Sequence, residues 1–93
     1  MKKCKFYSIV MGDKGKPIAK LQDGYQDEYW YYYHNNATWY AIEPSTGLSI
    51  TTGYTRKEAQ QKATAPEMFK KVNDKITQYM IQRFNELRIE AEI

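Results

Sequence analysis

Polar and apolar residues alternate along the first half of the chain and recur at helical spacing along the second half. Segments rich in β-branched and aromatic residues, separated by turn-forming residues, predict an antiparallel meander of three or four strands. Five segments are candidates for these three or four strands: Lys3 to Met11, Ile18 to Leu21, Gln26 to His34, Thr38 to Glu43 and Leu48 to Thr52. Because Pro17 cannot donate a ladder hydrogen bond, we expect the second segment to be a weak strand at a sheet edge.

Three turns are predicted between these strands. The stretch from Gly12 to Pro17 is rich in turn residues and joins the first two strands. Asn35 and Asn36 suit a two-residue type I′ turn, since asparagine tolerates positive φ better than most residues. The stretch from Pro44 to Gly47 begins with proline and ends with glycine, which favours a turn before the last strand.

Helical periodicity begins after Gly53. Thr55 to Glu58 matches a capping box, which predicts a short helix to about Ala63. Thr64 to Glu67 repeats the box, with Pro66 in the first turn, and predicts a long amphipathic helix. The apolar residues of that helix recur three or four positions apart at Phe69, Val72, Ile76, Met80, Phe84 and Leu87.

These elements predict an α+β fold in one domain spanning residues 1–93. The antiparallel sheet would be followed by the short helix, and the long C-terminal helix would pack on one sheet face. The other face would remain open, or a second copy of the chain would cover it in a homodimer.

An aromatic segment near the middle of the chain is the main candidate for function. Side chains alternate between the two faces of a strand, so Tyr29, Tyr31 and Tyr33 are expected on one face. The opposite face would carry Trp30, Tyr32 and His34. Because one core covers only one face, we expect one of these sets to be exposed for binding. The sequence leaves open which set it is.

The net charge of +3 is unevenly distributed along the chain. Residues 1–20 carry six lysines and one aspartate, whereas residues 21–50 carry four acidic residues and no lysine or arginine. Tyrosine and tryptophan dominate interface hot spots, and carboxylates among them complement a basic protein surface, such as the cleft of a nucleic-acid-handling protein. The predicted partner-binding residues are Asp27, Glu28, Tyr29, Trp30, Tyr31, Tyr32, Tyr33, His34 and Glu43.

Direct binding of nucleic acid is the alternative. Exposed aromatic residues stack bases at about 1–3 kcal/mol each, but the phosphate backbone also needs a positive groove. The basic residues lie in the first strand, in the turn before Pro17 and on the helices. This alternative would therefore use the N-terminal lysines and the helix lysines.

Catalysis, metal binding and membrane insertion are not predicted. The single histidine and single cysteine exclude a Cys/His zinc site, an internal disulfide and a catalytic triad. Asp27 and Glu28 are adjacent, so on a strand they face opposite sides and cannot act as an acid–base pair. No apolar run approaches the roughly 20 residues of a membrane helix, and no signal peptide is recognisable. We expect a cytoplasmic, non-enzymatic protein without a cofactor.

The segment from Trp39 to Ala59 carries a family resemblance. Its Gly-Leu-Ser-Ile and Gly-Tyr-Thr-Arg-Lys-Glu-Ala motifs resemble those of small bacteriophage and mobile-element proteins. The strand, turn and helix start are also similar to HicB-type antitoxins. Both groups imply a small protein that acts by binding, and the phage analogy implies an inhibitor of a host nucleic-acid enzyme, as anti-CRISPR proteins are. The matching residues are turn and cap chemistry, so no functional residue is carried over.

Overall fold

The computed structural model describes residues Met1 to Ile93 and confirms the α+β class. Five strands form one antiparallel sheet in the order β1-β2-β3-β4-β5, and the last helix is long and packs on that sheet. The strands are β1 (Lys2–Met11), β2 (Pro17–Gln26), β3 (Tyr31–Asn35), β4 (Thr38–Ile42) and β5 (Ser49–Gly53). The helices are α1 (Arg56–Ala63), α2 (Pro66–Lys75) and α3 (Gln78–Glu92). None of the three helices has the length and apolarity needed to cross a membrane.

The segment predicted as one aromatic strand is divided by a turn at Asp27. The Oδ1 atom of Asp27 accepts hydrogen bonds from the backbone N–H groups of Tyr29 (2.9 Å) and Trp30 (2.8 Å). This Asx geometry reverses the chain between β2 and β3, because the aspartate side chain takes the place of a backbone acceptor. The prediction of a continuous strand is therefore wrong. β2 is also ten residues long and lies between β1 and β3, rather than at an edge.

The sheet curls so that its first strand reaches the far end of the meander. The backbone N–H of Ile9 in β1 donates to the carbonyl of Gly47, in the turn between β4 and β5, at 2.8 Å. Inside the curl, the ring of Phe6 stacks on Tyr31 with centroids 4.5 Å apart and planes at 5°. Phe6, Tyr33 and Ile42 form a buried cluster there. The curl therefore encloses a core without any helix.

The helices cover the outer face of the sheet with two further clusters. Trp30, Tyr32 and Ala41 pack beneath α1 and α2, against buried side chains that include Ala63. The indole Nε1–H of Trp30 donates to the Ala63 carbonyl at 2.9 Å. A smaller cluster joins α3 to β2 through Ala19, Phe84 and Leu87. Both sheet faces are consequently packed.

The expectation that one aromatic set is exposed is wrong. Tyr32 is 0 % exposed, Trp30 6 % and Tyr33 6 %, and Tyr31 is half-buried. The alternation of side chains within β3 is present, but each face supplies a different core. A strand that serves two cores has the same aromatic pattern as a strand with one face open to a partner.

The predicted long helix is broken into α2 and α3. Ile76 leaves the helix with φ −69° and ψ 130°, and the Oγ1 atom of Thr77 accepts from the Met80 N–H at 3.2 Å to begin α3. The second capping box is also wrong, because the Thr64 hydroxyl donates to the Gln60 carbonyl (2.7 Å) at the end of α1. The apolar spacing continues across the break, which explains why it predicted one helix.

The first capping box is confirmed at its threonine. Thr55 Oγ1 accepts from the Glu58 N–H at 3.0 Å. The Glu58 carboxylate accepts from the Tyr54 N–H at 3.3 Å, whereas in a standard capping box it would accept from the Thr55 N–H. Lys62 also lies 3.1 Å from this carboxylate. These contacts, led by the one from Lys62, lower the pKa of Glu58. The start of α1, and with it Arg56, is therefore held in place.

The β3–β4 turn lies one residue later than predicted, and it places an alanine at positive φ. Asn35 pairs with Thr38, while Asn36 and Ala37 have φ of 50° and 61°. A non-glycine residue in this region costs about 1–2 kcal/mol. We expect Ala37→Gly to raise the free energy of unfolding by about 1 kcal/mol, measured by urea denaturation. Ala65→Gly is the control, because the φ of Ala65 is −63° and suits alanine. This variant should lower the free energy of unfolding. Equal changes in the free energy of unfolding for the two variants would contradict the prediction.

Candidate functional site

The carboxylate of Asp27, predicted to face a partner, is engaged within the fold. Besides the two turn N–H groups, its Oδ2 atom accepts from the Tyr32 hydroxyl (2.7 Å) and from Gln60 Nε2 (3.3 Å). Burial raises the pKa of Asp27, but the hydrogen bonds from Tyr32, Trp30, Tyr29 and Gln60 outweigh it and lower the pKa overall. Asp27 therefore ties the β2–β3 turn to β3 and α1.

The carboxylate of Glu43 is engaged in the same way. Glu43 is 8 % exposed, and its oxygens accept from the Ser45 N–H (2.9 Å), the Thr46 N–H (2.9 Å) and the Ser45 hydroxyl. These bonds close the β4–β5 turn. The charge of Glu43 is therefore directed into the turn rather than towards solvent.

Of the predicted partner-binding residues, Glu28, Tyr29 and His34 remain exposed. Tyr29 is 52 % exposed, and its ring meets Phe69 of α2 edge-on with centroids 4.9 Å apart. It therefore lies on the helix side with Trp30, not with Tyr31 as the alternation predicts. The turn at Asp27 causes this change. The structure does not bring the predicted acidic and aromatic residues together on one surface.

A different group of side chains lies together at the surface. The imidazole of His34 stacks on Trp39 with centroids 5.1 Å apart and planes at 27°. The Trp39 ring is 6.1 Å from that of Tyr25, and the Arg56 guanidinium lies 4.3 Å above the Tyr25 ring and 6.0 Å from that of Trp39. We call Tyr25, His34, Trp39 and Arg56 the aromatic–arginine cluster.

Sheet register and the start of α1 hold this cluster. His34 and Trp39 are directly opposite each other on β3 and β4. Arg56 is the first residue of α1, immediately after the cap at Thr55. Lys3 is opposite Tyr25 on β1, and directly opposed residues project from the same sheet face. Lys3 therefore extends the cluster by one more cation.

The surface carries two exposed basic side chains. His34, Arg56 and Lys3 are exposed, while Tyr25 and Trp39 are partly buried. The ion pairs of the structure join Lys5 to Asp23, Lys62 to Glu58 and Arg83 to Glu86. Neither Arg56 nor Lys3 has an acidic partner. The guanidinium instead rests on aromatic rings, an arrangement in which one of its faces remains available for a ligand.

Sequence reasoning found only His34 of this cluster. Residues 21–50, which contain the aromatic segment, have no lysine or arginine. Arg56 follows that segment and Lys3 precedes it, so only the pairing of β1 with β2 and the position of α1 bring them to Tyr25. The antiparallel register that pairs Met11 with Pro17 also pairs Lys3 with Tyr25. Extending the β1–β2 hairpin in this register would therefore have placed Lys3 beside Tyr25.

Other chemistry on the chain is limited. Burial raises the pKa of the Cys4 thiol, which disfavours the reactive thiolate. No group of three or more His, Cys, Asp or Glu side chains is arranged to hold a metal ion. Comparison with protein-family models, with curated proteins and with solved structures finds no match to this chain. The proposed function therefore depends on the geometry of the aromatic–arginine cluster.

Proposed function

We propose that this chain is a cytoplasmic, non-catalytic protein that binds single-stranded nucleic acid through the aromatic–arginine cluster. The observation that carries the proposal is the position of the Arg56 guanidinium, 4.3 Å above the Tyr25 ring and beside Trp39. It supplies the cation that the aromatic segment lacks in sequence. The charge of this surface therefore favours an anionic partner.

The side chains of the cluster match the two chemical parts of a nucleic acid. Aromatic rings and guanidinium planes stack on bases, and each such contact is worth about 1–3 kcal/mol. The Arg56 N–H groups that do not face Tyr25 are suited to a phosphate oxygen, as is the Lys3 ammonium. His34 stacks on Trp39 and is the more exposed of the two side chains. A base stacking on His34 would extend the His34–Trp39 pair.

A single strand fits this surface better than a duplex. In a duplex the base faces are stacked inside the helix, whereas an unpaired strand offers them to a protein. Binding of duplex phosphates depends on many cations, and a site with two neighbouring cations gives only a shallow salt dependence. Stacking must therefore supply most of the affinity, which requires exposed bases.

Substitutions in the cluster test the proposal by fluorescence anisotropy with a labelled single-stranded oligonucleotide. We expect Trp39→Ala and Arg56→Ala each to weaken binding by about ten-fold or more, since each removes a stacking contact. Arg56→Ala should also reduce the slope of log affinity against log salt by about 1. The matched controls on the helices are Tyr79→Ala, at a side chain 75 % exposed, and Lys70→Ala, and neither should change the affinity.

Two results would contradict binding of nucleic acid at this cluster. Equal losses in the cluster and control variants would show binding without this site. Absence of binding at low salt, with thermal melts showing intact folds, would contradict the proposal outright.

Inhibition of a host nucleic-acid-handling protein, as by an anti-CRISPR protein, is the second candidate function. Glu28 and Tyr29 favour it, because both are exposed at the β2–β3 turn and Glu28 forms no ion pair. A basic partner surface would be complementary to this pair. Affinity capture from nuclease-treated extract separates the candidates: a partner retained by the parent chain but lost with Glu28→Lys would support inhibition. Retention that instead depends on Trp39 would not support it.

A further inference from the structure

A cleft lies between α2 and the end of the meander, apart from the aromatic–arginine cluster. It has a volume of about 180 Å³ and is open to solvent. Its apolar lining includes Leu48 and Ile50 from the β5 side and Met68, Ile76 and Met80 from the helical side. The break between α2 and α3 at Ile76 lets both helices contribute to one cavity.

The size of the cleft suits a short alkyl chain. At roughly 30 Å³ for each water-sized group, the cavity holds about six such groups. It is smaller than the roughly 300–1,000 Å³ of sites for drug-sized ligands. Two methionines among the lining residues favour an aliphatic ligand, since their unbranched side chains adjust to irregular apolar shapes.

The charges at the cleft favour an anionic head group. Lys71 and Lys75 line it from α2, four residues apart and therefore on the same helix face. Neither lysine takes part in an ion pair. Glu43 is the acidic residue of the lining, and its oxygens are already engaged by Ser45 and Thr46. Two free cations thus accompany an apolar cavity.

We propose that this cleft binds a medium-chain aliphatic carboxylate. The alkyl chain would fill the cavity between Ile50, Met68 and Met80, and the carboxylate would be held by Lys71 and Lys75. A neutral chain would lose the contact with the lysines, and a cationic chain would be repelled by them. The site is independent of nucleic-acid binding, because none of its lining residues belongs to the aromatic–arginine cluster.

Methionine methyl resonances of the whole chain report directly on this site. Titration with octanoate is expected to shift the Met68 and Met80 signals saturably, with a dissociation constant on the order of 0.1–1 mM. Met1 and Met11, which are exposed and do not line the cleft, serve as internal controls and should not move. Octylamine, with a chain of the same length, should bind about ten-fold more weakly.

A charge-neutral variant separates the two parts of the proposal. Lys71→Gln with Lys75→Gln should weaken octanoate binding about five-fold and leave binding of octanol unchanged. Both lysines are exposed, so the fold should persist, and a thermal melt checks this. Absence of saturable shifts at Met68 and Met80 would overturn the proposal. Equal binding of octanoate and octylamine would also overturn it, since the lysines would then play no part.

Discussion

Replacement of Gly47 by alanine is expected to lower the free energy of unfolding by about 3–5 kcal/mol. Gly47 has φ +67°, and a Cβ atom there would lie 2.3 Å from a ring carbon of Phe84. Phe84 is itself buried, and it packs with Leu87 of α3 against Ala19 of β2. The Gly47 carbonyl also accepts from Ile9, so a shift of the turn would disturb the curl of the sheet.

Gly15 provides the matched control for this loss. It has φ +71°, and a Cβ atom there would meet nothing within 4 Å. Gly15→Ala therefore carries only the backbone strain of about 1–2 kcal/mol. The difference between the two variants in urea denaturation isolates the contact with Phe84. If both variants lost the same free energy, the packing of α3 against the β4–β5 turn would be contradicted.

Removal of the Asp27 carboxylate should destabilise the fold by about 3 kcal/mol. Asp27→Ala leaves the buried Tyr32 hydroxyl and two turn N–H groups without their acceptor, and hydrogen bonds to a charged group are each worth about 1.5–3 kcal/mol. The control is Glu28→Ala, which removes an exposed neighbouring carboxylate. It should change stability by less than about 0.5 kcal/mol. Equal effects would contradict a structural role for Asp27.

Stability against pH provides a second check on Asp27. Its pKa is lower in the folded chain than in the unfolded chain, where aspartate has a value of about 3.9. The charged carboxylate therefore stabilises the fold above about pH 4, and this stabilisation disappears as the pH falls through the folded pKa. The free-energy difference between the parent chain and Asp27→Asn should shrink over that acidic window. A constant difference from pH 7 to pH 2 would be inconsistent with these hydrogen bonds.

Local chemistry explains how much of the fold the sequence predicts. The meander, the turn at Pro44 to Gly47 and the cap at Thr55 each depend on residues close together in the chain, and each is present. The helix break at Ile76 is different, because the apolar spacing is the same on both sides of it. Thr77 supplies the new cap, but its box lacks the acidic residue that marks the cap at Thr55.

The curl of the sheet cannot be predicted from the local sequence pattern, because it depends on contacts between residues that are distant in the chain. At Gly24 an added Cβ would lie 2.0 Å from the Tyr32 carbonyl oxygen, so the strands approach there more closely than any side chain allows. This close approach accompanies the bending of β1 and β2 over the face that carries Tyr33. A glycine within a strand is consistent with such an approach but does not specify its partner. The second core therefore could not be predicted.

The proposed binding surface could likewise be predicted only in part. The aromatic residues are evident in the sequence, but their burial depends on the curl and their charge environment depends on Arg56 and Lys3. The segment alone predicts an acidic surface for a basic partner. The folded chain engages Asp27 and Glu43 internally and places cations beside Tyr25, so the proposed partner is anionic.

Tryptophan fluorescence measures contact at the proposed site most directly. Trp39 belongs to the cluster, whereas Trp30 is buried beneath the helices and donates to Ala63. If bases stack on the cluster, a single-stranded oligonucleotide should quench the emission saturably, and Trp39→Phe, which leaves only Trp30, should abolish that quenching. Quenching that persists in Trp39→Phe, or an oligonucleotide that binds without quenching the parent chain, would contradict binding at the aromatic–arginine cluster.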